Sequence, residues 1–143
     1  MLLPITLTLA AACALLNLWL ALRCARIRLS GKTLHGDGGN ALLARRMRAH
    51  ANYAEYTPII LILFGLVELA IGSPTWLWAG ALIYVLARVA HGFGMDADHP
   101  TVWRAGGALL TWLISAALAL VALYAAYSAM REIPAPPALA ARG

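Results

Sequence analysis

Residues 2–22 read LLPITLTLAAACALLNLWLAL, and this apolar run decides how the chain folds. A helix of about twenty apolar residues is long enough to cross the hydrocarbon core of a bilayer. Only Pro4, Thr6, Thr8 and Asn17 interrupt the run. A cleaved signal peptide would have a basic start and a shorter apolar core, whereas here the basic residues follow the run. The run therefore predicts a membrane-spanning helix.

The composition of the whole chain agrees with a membrane protein. The 143 residues are 62% hydrophobic and 12% charged, with a mean hydropathy of +0.76, whereas soluble domains carry about 25% charged residues. A soluble enzyme is excluded. Seven of the eleven Lys and Arg residues lie between Arg23 and Arg48, so the net charge of +5 arises mainly from one segment. A local basic segment, in place of a basic surface, argues against nucleic-acid binding. Cys13 and Cys24 lie on one helical segment and predict no disulfide framework.

Three further apolar runs follow the first and are separated by Gly-, Pro- and Asp-containing turns. The predicted fold is therefore an all-α, integral membrane four-helix bundle that occupies residues 1–130 as a single domain. A proline-rich tail over residues 131–143 is expected to be extended. The predicted spans are residues 2–24, 41–71, 75–95 and 104–130.

The basic residues predict the orientation in the membrane. The connections after the first and third spans, with the span ends beside them, hold nine of the eleven Lys and Arg residues. Because Lys and Arg are concentrated in cytoplasmic loops, both termini should face away from the cytoplasm.

The second predicted helix carries polar residues that membrane helices rarely contain. Glu55 lies seven residues beyond Arg48, which places it about 10 Å deeper along the helix. An ionisable residue at that depth is a functional-site hypothesis by default. The alternative is a salt bridge, between Arg48 and Glu55 or between helices, that only stabilises the bundle. Spacings of three and four place five residues on one stripe of this helix: Arg45, Arg48, Asn52, Glu55 and Ile59.

The third helix repeats this pattern with Tyr84, Arg88, His91 and Met95 on one face. Arg88 could instead extend toward the membrane surface. His91 lacks the spaced partners of a metal motif, so no metal site is predicted. Glu68, next to the turn after the second helix, is expected to reach the opposite interface and to have no chemical role.

The polar residues of the two helices predict one site near the cytoplasmic face. Arginines recognise carboxylates through a fixed fork of donors, and a buried acid accepts hydrogen bonds from an ammonium group. The expected ligand is therefore a zwitterionic small molecule with more than one carboxylate. A ligand thiol beside an arginine would have its pKa lowered and become a nucleophile.

Residues 45–58, RRMRAHANYAEYTP, resemble the signature of the MAPEG family, the membrane-associated proteins in eicosanoid and glutathione metabolism. Residues 36–40 (GDGGN) and 87–92 (ARVAHG) resemble the bacterial branch of that family. The resemblance covers nearly all of the chain up to about Met130. It implies a homotrimer in the bacterial inner membrane, with glutathione held between neighbouring subunits as a co-substrate and no metal.

The resemblance also implies roles for individual residues. Arg104 matches the arginine that stabilises the thiolate and is the catalytic candidate. Met95 stands where many members carry a tyrosine that contacts the ligand. The first-helix arginine that binds glutathione is either Arg23 or Arg26. The other residues that match glutathione-binding or site positions are Arg48, Asn52, Glu55, Tyr56, Arg88 and His91.

The implied function is a glutathione-dependent transferase or peroxidase. The thiolate would attack a lipophilic electrophile or a lipid hydroperoxide directly, without a general base. One alternative is a non-catalytic membrane protein of the same fold that binds glutathione or an amphipathic lipid. A small multidrug transporter is a third class, but such transporters use an acidic residue in the first span, and this span has none.

Overall fold

The computed structural model describes residues 2–132, which form four α-helices. Each helix is long and apolar enough to cross a membrane. The prediction of an all-α bundle with four membrane-spanning helices is thereby confirmed. The predicted tail contributes Arg131 and Glu132 to the last helix, and from residue 133 onward it lies outside the described residues. The helices are α1 (Pro4–Ser30), α2 (Ala41–Ile71), α3 (Thr75–Gly94) and α4 (Val102–Glu132).

Helix boundaries differ from the predicted spans where polar groups extend a helix beyond its apolar run. α1 continues to Ser30 instead of ending at residue 24, because arginine is a good helix former. α4 begins at Val102, and the hydroxyl of Thr101 accepts the N–H of Arg104 at 3.1 Å as a helix cap. Asn40 caps α2, since its Oδ1 accepts the N–H of Leu43 at 2.9 Å.

The four helices run alternately up and down, joined by residues 31–40, 72–74 and 95–101. The C-termini of α1 and α3 therefore lie at the same end of the bundle as the N-termini of α2 and α4. We call this end the basic end, because the arginines between Arg23 and Arg48 are located there. α2 and α3 each pack against all the other helices, whereas α1 and α4 have no packing contact within residues 2–132.

The core is apolar, and much of the exterior is apolar as well. Ile5, Ile60, Phe64, Leu77 and Tyr84 are completely buried. Many large apolar side chains, including Leu7, Leu15, Leu18, Leu120 and Leu123, are more than half exposed. Such an exterior would aggregate in water but suits contact with lipid, so the fold is that of a membrane protein.

Glu68 lies at the end of the bundle opposite the basic end, beside the turn after α2, where it was expected. Its side chain is buried there against the N-terminus of α1. Its carboxylate accepts the N–H groups of Ile5 and Thr6 and the hydroxyls of Thr6 and Ser73, at 2.7–3.0 Å. The first N–H groups of a helix have no partner within the helix, and a carboxylate satisfies them well. Glu68 therefore fastens the end of α2 to the start of α1.

Candidate ligand-binding cleft

A cleft of about 310 Å³ opens at the basic end between α2, α3 and α4. Its wall includes the segment 95–101 that connects α3 to α4. Most of its polar groups come from predicted site residues, which the fold brings together from three helices. The lining residues that matter below are Arg48, Asn52, His91, Met95, Arg104 and Trp112.

Arg48 and Glu55 form an ion pair along α2. Nη1 of Arg48 donates to Oε1 of Glu55 at 3.1 Å, and the two side chains are 63% and 49% exposed. The salt bridge between Arg48 and Glu55 that the sequence suggested as an alternative is therefore present in the structure. The pair nevertheless stays exposed, so the Arg48 guanidinium still has donors to offer the cleft.

Arg88 lies behind Asn52 and is buried. Its Nη2 donates to Oδ1 of Asn52 at 3.1 Å, and its guanidinium lies 5.4 Å from the centre of the Tyr53 ring. The alternative that Arg88 extends to the membrane surface is therefore wrong. Because Oδ1 of Asn52 accepts from Arg88, the amide is oriented by this bond, and its NH₂ group is the donor that it can offer a ligand. Within residues 2–132 no carboxylate pairs with Arg88.

His91 and Arg104 meet where α3 passes the first turn of α4. Nδ1 of His91 lies 3.0 Å from the backbone oxygen of Arg104. The side chain of Arg104 has no salt bridge within the described part of the chain and belongs to an exposed residue on the rim of the cleft. Arg104 can therefore present a guanidinium to an anion.

Tyr56 is connected to the cleft by a hydrogen bond with Trp112. The indole Nε1 of Trp112 donates to the hydroxyl of Tyr56 at 3.1 Å. Trp112 lines the cleft, whereas Tyr56 and Glu55 lie just outside its wall. Met95 is buried in the wall and supplies a thioether where a tyrosine would supply a hydroxyl.

Neither of the two first-helix candidates, Arg23 and Arg26, lines the cleft. Arg23 is buried, donates to the backbone oxygen of Gly92 at 2.8 Å, and forms a salt bridge with Asp96. Arg26 is exposed. Of these two candidates, Arg23 is paired with Asp96, whereas Arg26 has no salt bridge among the described residues.

Asp96 is the residue that the sequence reasoning missed, since its position suggested only the end of a helix. Its carboxylate accepts two hydrogen bonds from Arg46, at 3.2 and 3.0 Å, besides the salt bridge with Arg23. Its backbone oxygen accepts from Nε of Arg45 at 3.1 Å. We call these contacts the Asp96 clamp. The clamp ties the connection that walls the cleft to both α1 and α2.

The charges of the clamp act on the Asp96 carboxyl. Partial burial raises its pKa, but the hydrogen bonds from Arg46 and the positive charges of Arg23 and Arg46 outweigh this, so the pKa lies below its ordinary value. Asp96 therefore stays ionised at neutral pH. Asp96 lies at the basic end, where the arginines are concentrated. An acidic residue among arginines is the pattern from which its ion pairs could have been predicted.

The described residues contain no cluster of three or more His, Cys, Asp or Glu side chains placed to hold a metal ion. The chemistry of the cleft is instead that of guanidinium and amide donors beside apolar side chains. Such a donor set suits an anionic ligand with an apolar part.

Comparison with known proteins identifies the relatives of the chain. The sequence pattern of the MAPEG family matches residues 6–124. The inner membrane protein YecN of Escherichia coli K12 is 33% identical over 104 residues, which cover 72% of this chain and 78% of YecN. YecN of Escherichia coli O6:H1 (strain CFT073) matches to the same extent. These matches confirm the resemblance found in residues 45–58.

Proposed function

This chain belongs to the MAPEG family, and on that premise we propose that it is a membrane-bound glutathione-dependent transferase or peroxidase. Glutathione would be bound as a thiolate and would attack a lipophilic electrophile or a lipid hydroperoxide. The observation that carries the proposal is the meeting of Arg48, Asn52 and Arg104 in one cleft of about 310 Å³.

The donors and acceptors at the cleft fit the groups of glutathione. Glutathione carries two carboxylates, one ammonium group and one thiol. The guanidinium of Arg48 and the NH₂ group of Asn52 can donate to a carboxylate. Glu55, 3.1 Å from Arg48, can accept from the ammonium group, and Arg26 is the first-helix arginine proposed for the second carboxylate. The salt bridge between Arg23 and Asp96 supports the choice of Arg26 over Arg23 for this role.

Arg104 is the proposed catalytic residue. Its guanidinium, which has no ion pair within residues 2–132, would favour the thiolate over the thiol by its positive charge. The electrophile would approach from the bilayer along the apolar part of the wall formed by Met95 and Trp112. Holding both reactants together in one cleft would also lower the barrier to this direct attack.

We propose that the protein is a homotrimer, with residues 1–130 of each copy forming one four-span domain. The exposed Arg48–Glu55 pair supports this assembly. Charged side chains on a membrane-spanning helix are costly against lipid and need a polar cavity or a partner. A neighbouring copy would cover the pair and complete the site between subunits. No contact between copies is needed to form the cleft itself.

The proposed location is the bacterial inner membrane, with the basic end on the cytoplasmic side. The concentration of arginines at that end supports the orientation, because cytoplasmic loops are rich in Lys and Arg. Both termini and the Glu68 cap would then lie on the other side of the membrane.

The alternative is a non-catalytic protein of the same fold that binds glutathione or an amphipathic lipid. Met95 favours this alternative, because it places a thioether in the cleft wall at a position where many family members carry a tyrosine. A protein that binds glutathione but turns over neither aryl halide electrophiles nor lipid hydroperoxides would be of this kind.

The proposal is tested by thermal unfolding of the detergent-purified protein with increasing glutathione. A ligand that binds only the folded state raises the apparent stability by mass action. We expect a saturable rise that is lost in Arg48→Ala. Arg131→Ala is the matched control, since Arg131 is exposed at the opposite end of α4. Absence of a shift up to millimolar glutathione in the unmodified protein would refute glutathione binding.

A further inference from the structure

We propose that His91 is a positioning residue that holds the backbone of Arg104 through its Nδ1, rather than a residue that contacts the ligand. This inference rests on the proposed function, because it concerns the arginine that would stabilise the thiolate. It differs from the direct binding role that the family resemblance implies for His91.

The hydrogen bond to Arg104 determines which ring nitrogen carries a proton. A backbone carbonyl can only accept a hydrogen bond, so the Nδ1 that lies 3.0 Å from the Arg104 oxygen must be the donor. Nε2 is buried and has no hydrogen-bond partner among the described residues. Nδ1 is thus already engaged by Arg104, although the His91 side chain lies in the wall of the cleft.

The peptide groups of Arg104 are held on both sides. Its N–H donates to Oγ1 of Thr101 at 3.1 Å, and its carbonyl accepts from His91. The Thr101 hydroxyl in turn donates to the backbone oxygen of Gly94 at 3.2 Å. Both tethers connect the first turn of α4 to the last turns of α3. The guanidinium of Arg104 therefore extends into the rim from a fixed backbone.

Two glycines allow this close approach of the helices. A side-chain carbon added to Gly107 would lie only 2.7 Å from Cβ of His91, and one added to Gly94 would lie 2.9 Å from Oγ1 of Thr101. Both distances are shorter than van der Waals contact, so larger residues would push α4 away from α3. The absence of side chains at these positions lets the imidazole reach the Arg104 carbonyl.

The two ring nitrogens can be tested separately by substitution. His91→Asn places an amide NH₂ near the position of Nδ1 and removes Nε2. His91→Gln places its amide near the position of Nε2 and loses the short reach to Arg104. His91→Leu removes both. His99→Gln is the matched control, because His99 is exposed and pairs only with its neighbour Asp98 among the described residues.

The first measurement needs no ligand. Hydrogen exchange of the purified, ligand-free variants is followed by mass spectrometry over peptides that contain the first turn of α4. We expect faster exchange there in His91→Gln and His91→Leu, with His91→Asn and the control close to the unmodified protein. Equal exchange in all variants would refute the tether, whether or not glutathione binds.

The second measurement is the pH profile of thiolate absorbance at saturating glutathione, with S-methylglutathione as the blank. The His91 variants keep Arg104, but without the tether its guanidinium is no longer held near the sulfur. Losing the interaction with one well-placed opposite charge raises a pKa by about one unit or more. We therefore expect the midpoint of the thiolate titration to rise by about one pH unit in His91→Gln and His91→Leu. In His91→Asn this midpoint should stay unchanged. A purely structural role would change stability without moving this midpoint.

The opposite order of effects would overturn the proposal. If His91→Gln behaved like the unmodified protein and His91→Asn lost affinity or thiolate, Nε2 would be a ligand contact. If the unmodified protein bound no glutathione in the thermal assay, the proposed function would fail, and the exchange experiment would still decide whether His91 holds Arg104.

Discussion

Oε2 of Glu68, near the end of α2, lies 2.8 Å from the N–H of Thr6 in the first turn of α1. A carboxylate in this buried place is stable only because four donors surround it, including the side chains of Thr6 and Ser73. The contact fixes the two helices at the end opposite the cleft. Glu68 is therefore an acidic residue of a membrane-spanning helix with a structural role.

We therefore expect Glu68→Gln to lower the stability. The glutamine NH₂ group would face donors instead of accepting from them, and a mispaired buried polar group costs about 1–3 kcal/mol. Thermal unfolding in detergent measures the effect, and Ser73→Ala, which removes one donor, should give a smaller loss. Equal stability of Glu68→Gln and the unmodified protein would contradict the capping role.

Asp96→Asn should weaken glutathione binding by about tenfold, because it removes the charge that holds the cleft wall to Arg23 and Arg46. A hydrogen bond to a charged group contributes about 1.5–3 kcal/mol. If all of this free energy is lost from glutathione binding, the affinity falls tenfold or more. Titration of the thermal shift gives the affinity, and Asp96→Glu should restore part of it.

The control for the clamp lies in the same connection. Asp98 is exposed and pairs only with His99 among the described residues, so Asp98→Asn should leave the affinity unchanged. A gain of affinity in Asp96→Asn would mean that the arginines released from the clamp bind the anion themselves.

The clamp also predicts a pH dependence of stability. The ordinary pKa of an aspartate is 3.8, and that of Asp96 is lowered in the folded protein. The folded state therefore gains stability from ionised Asp96 at every pH above 3.8 and loses this gain as the pH falls toward the lower, folded-state pKa. The stability difference between the unmodified protein and Asp96→Asn should be constant near neutrality and shrink below about pH 3.8. A difference that grew on acidification would contradict the pairing.

Glu55→Ala should weaken glutathione binding, because the ligand ammonium group would lose its acceptor. The thermal shift measures this loss. Unchanged affinity would remove Glu55 from the site.

Arg104→Ala should spare glutathione binding and reduce thiolate formation. The guanidinium has no structural partner within residues 2–132, so its loss should affect the charge at the sulfur more than the fold. Thiolate absorbance at saturating glutathione distinguishes the two effects. Retention of the full signal would assign the thiolate to another arginine, with Arg48 as the first to test.

The order of the helices and most of the site followed from the sequence. Apolar runs of twenty or more residues define spans whatever their neighbours are, and the spacing from Arg48 through Asn52 to Glu55 fixes one helical stripe. Arg48, Asn52 and His91 were identified from residue type and spacing, whereas Arg104 was identified only from the family resemblance; the fold places all four around one cleft.

The partners of the charged residues were decided only by the tertiary structure. Asp96 and Glu68 have no periodic signal, because their partners Arg46 and Thr6 lie 50 and 62 residues away along the chain. Periodicity describes one helix at a time, whereas an ion pair or cap between helices depends on how the helices are packed. The sequence by itself determined the spans, the faces and the residue types of the site. The packing of the helices determined that Arg23 binds Asp96, that Glu68 caps α1 and that His91 holds Arg104.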